Sequence, residues 1–171
     1  MCARIKDIVK IMEAIAPLDM AEDWDNVGLL LGDRSKKVYK ILVSLDVTGA
    51  VVKEAIERNA DIIISHHPVI FEPKLSIGQK IEDKNIIYPL IKNEIAVYSA
   101  HTNLDKADGG VDDTLASLLG LQNVKVLDHV TGLGRVGKLE SSMTAAEYAH
   151  KVAKALGADD LYIMGCRAGA A

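Results

Sequence analysis

The segment with the most chemical content is Ser65-His66-His67-Pro68, followed further on by His101-Thr102-Asn103-Leu104-Asp105. Imidazole and carboxylate together suit zinc, iron, manganese and other first-row divalent ions, without choosing among them. Two such ions can activate a water and stabilise a phosphoryl or carbonyl oxygen. Pro68 restricts His67 to extended backbone. Neighbouring side chains of an extended chain point to opposite sides. His66 and His67 therefore suit two nearby ions, one per imidazole, better than one ion held by both. Asp105 adds a carboxylate, which can bridge two ions. A plainer reading stands beside this one. Histidine pairs also serve as loop hydrogen-bonders, and Asp105 can simply cap a turn.

Other polar residues carry weaker signals. Asp46 ends an apolar run, where an Asp commonly partners the start of the next helix. Trp24-Asp25-Asn26 reads as a plain turn in preference to a site wall. Gly109-Gly110 precedes a helix and could offer backbone N–H groups to a phosphate. Two glycines are a weak pattern, and Asp112 and Asp113 already complement that helix end. His129 has no assignable element around it, and His150 reads as solvated on a surface helix.

The elements that must position these residues follow from periodicity. Ile5, Ile8, Val9, Met12 and Ile15 predict an amphipathic helix over 4–15 that Pro17 ends. Residues 22–33 mix turn residues with a short apolar run. Val38 to Leu45 predicts a buried strand, and Thr48 an N-cap for a helix to about Asn59. Ile62 to Ile64 is β-branched and short, hence a strand. A helix is predicted over 84–93, with Pro89 interrupting it. Ile95 to Ala100 predicts a third strand. A helix over 111–119 closes on Gly120. Residues 132–140 read as a glycine-rich strand. Thr144 and Glu147 form a capping box for a helix to Leu156, closed by Gly157. Leu161 to Met164 predicts a final strand. This alternation predicts an α/β fold with a mixed or largely parallel sheet flanked by helices. Asp46, Ser65-His66-His67 and His101–Asp105 then lie beyond the C-terminal ends of three strands, where open α/β sheets bind ligands.

Composition narrows the function classes. The 171 residues carry 20 Lys and Arg against 24 Asp and Glu, a net charge of −4, so no basic nucleic-acid surface is expected. One Trp, one Phe and five Tyr do not favour base-stacking platforms. No apolar run is long enough to span a bilayer. The charged residues within 1–15 do not fit a signal peptide. Cys2 and Cys166 stand far apart and outside any paired-cysteine motif, which fits a reduced, cytoplasmic protein.

At these residues the sequence resembles the NIF-three-like family, also described as GTP cyclohydrolase I type 2 or dinuclear metal-binding proteins. The matching stretches are WDNVGLLLGD at 24–33, SLDVT at 44–48, IIISHHPVIF at 62–71, YSAHTNLDKADGGVDDTLA at 98–116 and GLGRVGKLE at 132–140. The resemblance implies two divalent metal ions (zinc, iron or manganese), a two-domain α/β fold and a ring-shaped homo-oligomer. Residues 1–130 would form the N-terminal domain carrying both motifs, and 131–171 the start of the following segment. His66 and His67 match the family's paired ligands, and Asp105 its bridging carboxylate. His101 matches a site-lining histidine, a candidate proton shuttle. The family completes its site with a His and a Glu in a Gly-His-x-x-Ser-Glu type motif, which this sequence lacks. The expectation is a truncated member that binds metal weakly or in part.

The function these readings imply is a metal-dependent hydrolase acting on a nucleotide or phosphoester, with a small-molecule substrate. The alternative is a non-catalytic metal-binding interaction or scaffold protein, or an inactive fragment. Neither a membrane nor a nucleic acid is an expected partner.

Overall fold

The computed structural model describes residues 2–72, 77 and 83–158. The strand expected at Leu161–Met164, and Cys166, lie outside the described residues. The chain packs as two compact units that change over between Gly110 and Val111.

In the first unit, helix α1 (Ile5–Ile15) precedes strands β1 (Gly28–Leu31) and β2 (Ile41–Ser44). Helix α2 (Gly49–Glu57) and strand β3 (Ile62–Ser65) follow. A π-helical turn over Asp83–Ile87 leads into α3 (Tyr88–Lys92), then β4 (Ala96–Ser99) and α4 (Thr102–Lys106). The sheet order is β1-β4-β3-β2. β2, β3 and β4 are parallel, and β1 runs antiparallel to β4. The mixed α/β architecture expected from the sequence is therefore present, with β1 as an added antiparallel strand.

β3 and β4 are sandwiched, which explains their near-continuous hydrophobic runs, whereas β2, expected to be buried, ends the sheet and leaves Ile41 and Val43 exposed. Ile63 and Val97 face one layer with Val52 and Ala55 of α2 and Leu90 of α3. Ile62, Ala96 and Tyr98 face the other layer with Ile5 and Val9 of α1. Each fully buried Ile, Leu or Val contributes about 1.5–3 kcal/mol relative to exposure. That packing fixes the three parallel strand ends. Ser44 pairs in register with Ser65, and Ser65 with Ser99. The next residues of all three strands therefore emerge at one level.

Local signals explain the boundaries. The Thr48 hydroxyl accepts from the Val51 N–H at 3.3 Å and starts α2. The single helix expected over 84–93 is instead a π turn followed by α3, with Pro89 in the first turn of α3. A proline is tolerated there because its missing N–H would have no intrahelical partner.

The second unit contains α5 (Val111–Leu118), β5 (Gln122–Val126), β6 (Arg135–Lys138) and α6 (Ala145–Leu156). β5 and β6 pair antiparallel. Asp112 and Asp113, expected to serve the helix start, also bind Arg135 of β6, at 3.4 and 2.5 Å. This is why α5 belongs with the hairpin. The Thr144–Glu147 capping box forms as expected, and Gly157 ends α6 in the left-handed region at φ 62°.

Candidate metal centre

The three parallel strand ends deliver the expected residues to one place. His66 and His67 follow β3, and His101 follows β4 as the residue before α4. Each of the three imidazoles offers a ligand atom, and these atoms lie within 4.8 Å of one another. The rings of His66 and His67 are 5.0 Å apart, and that of His101 is 5.1 and 5.5 Å from them. The two adjacent histidines thus converge on one nest, where an extended chain would have separated them. The cause is local. The chain bends directly after Ser65, and the Ser65 hydroxyl donates to the His67 carbonyl at 2.9 Å.

Each ring is oriented through its Nδ1. That of His66 stands 2.9 Å from the Ala100 carbonyl oxygen. That of His67 stands 2.7 Å from Asp46 Oδ1, and that of His101 stands 3.0 Å from Asp25 Oδ1. A carbonyl or carboxylate only accepts, so each Nδ1 donates its N–H. The lone pair of each neutral ring then sits on Nε2. A hydrogen bond of this kind at the far nitrogen is the usual support of a metal-ligating histidine.

Asp105, on α4, places Oδ1 3.6 Å from His66 Nε2. That exceeds a hydrogen bond, while two ligands of one tetrahedral zinc-sized ion stand about 3.4 Å apart. The donor types and this spacing fit a divalent ion. His66 and Asp105 are largely enclosed, while the His67 side chain is 47% exposed and faces the open side.

Two residues matter more here than their sequence context suggested. Asp46, expected to serve the helix start, is the partner of His67. Trp24-Asp25-Asn26, expected to be a plain turn, forms a wall of the site. The Asp25 side chain is fully enclosed. Oδ2 accepts from the Thr102 N–H at 3.0 Å and from the Thr102 hydroxyl at 2.5 Å. Burial pushes its pKa up, but these bonds and the one from His101 outweigh it and hold the carboxyl below its ordinary range. The signal that could have revealed it is an Asp beside the chain's only Trp. Its partner lies 76 residues away, beyond any local pattern.

Gly110 serves packing in preference to phosphate binding. Its N–H already donates to the Ala107 carbonyl at 2.8 Å. A Cβ there would lie 2.0 Å from the Leu104 carbonyl oxygen. His150 is exposed, with Nδ1 on the Ala146 carbonyl at 2.8 Å.

The profile of the Duf34/NIF3 family (NGG1p interacting factor 3) matches residues 3–168. A GTP cyclohydrolase 1 type 2 homolog of Clostridium perfringens is 41% identical over 167 residues, covering 95% of this chain and 64% of that protein. Among solved structures, a Staphylococcus aureus hypothetical protein superposes with a TM-score of 0.83 at 29% identity, covering 92% of this chain and 65% of that one. Reduced HcgD from Methanocaldococcus jannaschii gives a TM-score of 0.80 at 36% identity, covering 90% and 60%. The chain spans less than two thirds of the length of these relatives.

Proposed function

The chain belongs to the Duf34/NIF3 family, and we propose that its histidine nest is the centre of a metal-dependent hydrolase acting on a nucleotide or another phosphoester. The observation that carries this reading is the common orientation of His66, His67 and His101. All three turn Nδ1 to a protein acceptor and keep Nε2 for a ligand. In this reading His66, His67 and Asp105 hold two divalent ions (zinc, iron or manganese). Such ions, when bound, supply Lewis acidity toward a water and a phosphoryl or carbonyl oxygen.

The chain's own groups do the rest. Asp46 and Asp25 fix the rings of His67 and His101. His101 moves a proton at Nε2 between water and the leaving group. A second reading makes His101 a further ligand, because its ligand atom lies within 4.8 Å of those of His66 and His67. Metal content of His101→Ala separates the two, since only a ligand takes metal with it. Two ions sharing so few side chains would be held weakly by this chain alone. The reading also includes a small-molecule substrate and a homo-oligomer. No helix among the described residues is long and apolar enough to cross a membrane.

The test is a hydrolysis screen of nucleotides and phosphoesters with added zinc or manganese, run beside His67→Ala. The expected result is turnover in the parent chain that is lost in a folded variant. No turnover on any substrate, with His67→Ala abolishing self-association instead, would overturn the hydrolase in favour of a metal-dependent scaffold.

A further inference from the structure

The chain holds one Trp and one Phe, and both border the metal centre. The rings of Trp24 and Phe71 are 5.9 Å apart and inclined by 48°. Each meets His101 edge-on, at 6.3 and 6.4 Å. Trp24 is 59% exposed and Phe71 49% exposed. One exposed aromatic residue needs no explanation. Two side by side next to a polar nest, in a chain with so few, are not accounted for by core packing.

Their positions are fixed by hydrogen bonds that neither ring makes itself. The Asn26 side-chain amide donates to the Ile70 carbonyl at 2.6 Å, tying the turn that carries Trp24 to the segment that carries Phe71. Asp25, next to Trp24, is anchored to His101 and Thr102. The wall is thus ordered before any ligand arrives, which lowers the cost of binding. A third ring cannot slide between the two, because a sandwich needs about 7 Å between parallel faces. The pair instead makes a corner, with one face for stacking and one for an edge-on contact.

We propose that Trp24 and Phe71 form a stacking subsite for a planar ring of the substrate. This deepens, and rests on, the reading of the nest as a hydrolase centre. The scarcity of aromatic residues argues against a platform for a strand of nucleic acid, and one corner suits one ring.

Trp24 is the only tryptophan, so its emission reports on this corner directly. Wild-type protein is titrated with guanosine 5′-monophosphate and with ribose 5-phosphate, with and without zinc, and zinc uptake is measured in parallel. Phe71→Ala keeps the reporter, and Trp24→Ala is followed by equilibrium dialysis. The nucleotide is expected to quench Trp24 and to bind about tenfold or more tightly than ribose 5-phosphate. Phe71→Ala and Trp24→Ala should each erase most of that preference and leave zinc uptake unchanged. Equal affinity for the two probes, or a preference untouched by both substitutions, overturns the proposal. Zinc uptake without a nucleotide preference sinks the stacking subsite alone. Quenching by the nucleotide in a protein that takes up no zinc sinks the metal reading and keeps the subsite.

Discussion

The Asp25 carboxylate, shut off from solvent, accepts the Nδ1–H of His101 at 3.0 Å across 76 residues of chain. The same carboxylate holds both the N–H and the hydroxyl of Thr102, at the start of α4. One buried anion thus sets the ring plane of His101 and anchors the helix that carries Asp105.

Replacing that anion tests its role. Asp25→Asn keeps the shape but turns one acceptor into a donor facing Thr102 or His101. Metal affinity or turnover should fall about 10–100-fold. Stability should fall by about 1–3 kcal/mol, as for a buried bond left unmade. Unchanged metal affinity together with unchanged turnover in a stable Asp25→Asn protein would remove Asp25 from the site.

Asp25 also predicts behaviour in acid. Its folded-state pKa lies below the ordinary value of 3.8. The stability it contributes is therefore complete above 3.8 and is lost as pH falls through the lower, folded value. Denaturant unfolding below pH 4 should show a loss that is smaller in Asp25→Asn. Parallel pH profiles for the two proteins would contradict this.

Tyr98 predicts the opposite limb. It is fully buried, its hydroxyl has no hydrogen-bond partner among the described residues, and burial pushes its pKa up to about 12. The folded value exceeds the ordinary 10, so the neutral phenol's contribution is intact below pH 10 and is lost as pH rises through about 12. Tyr98→Phe should remove this alkaline loss. At pH 7 it should be neutral or stabilising, because no bond is broken. A destabilisation above about 1 kcal/mol at pH 7 would show that the hydroxyl is satisfied after all.

Gly110 predicts a packing effect on the site. A methyl group there meets the Leu104 carbonyl oxygen at 2.0 Å, against the helix that carries Asp105. Gly110→Ala should cost about 1–3 kcal/mol and weaken metal binding as well. A thermal melt and a zinc titration of the same variant check both. A fully stable variant would mean that the turn relaxes freely.

Much of this was legible in the sequence. The apolar runs at Val38–Leu45, Ile62–Ile64 and Ile95–Ala100 place β2, β3 and β4, and the side chains just beyond them meet because parallel strands end together. Caps such as Thr48 and Thr144 are local chemistry and were readable as such. β1 was not, because Leu29, Leu30 and Leu31 sit between turn residues, and pairing with β4 is what makes them a strand. β5 is not legible there, because Gln122-Asn-Val-Lys-Val126 is half polar and needs its partner β6. The roles of Asp25 and Asp46 are hidden in the sequence for the same reason. Their partners, His101 and His67, are 76 and 21 residues away. The convergence of His66 and His67 depends on a bend that residue types alone do not specify.

The proposed holding of divalent metal by His66, His67 and Asp105 is tested most directly by a binding titration. Zinc and manganese would be titrated into chelator-treated protein by calorimetry, beside a His66→Ala, His67→Ala double variant matched for folding. Uptake of one to two ions per chain that vanishes in the folded double variant is the predicted result. No uptake by the parent chain, or equal uptake by both proteins, would contradict the account.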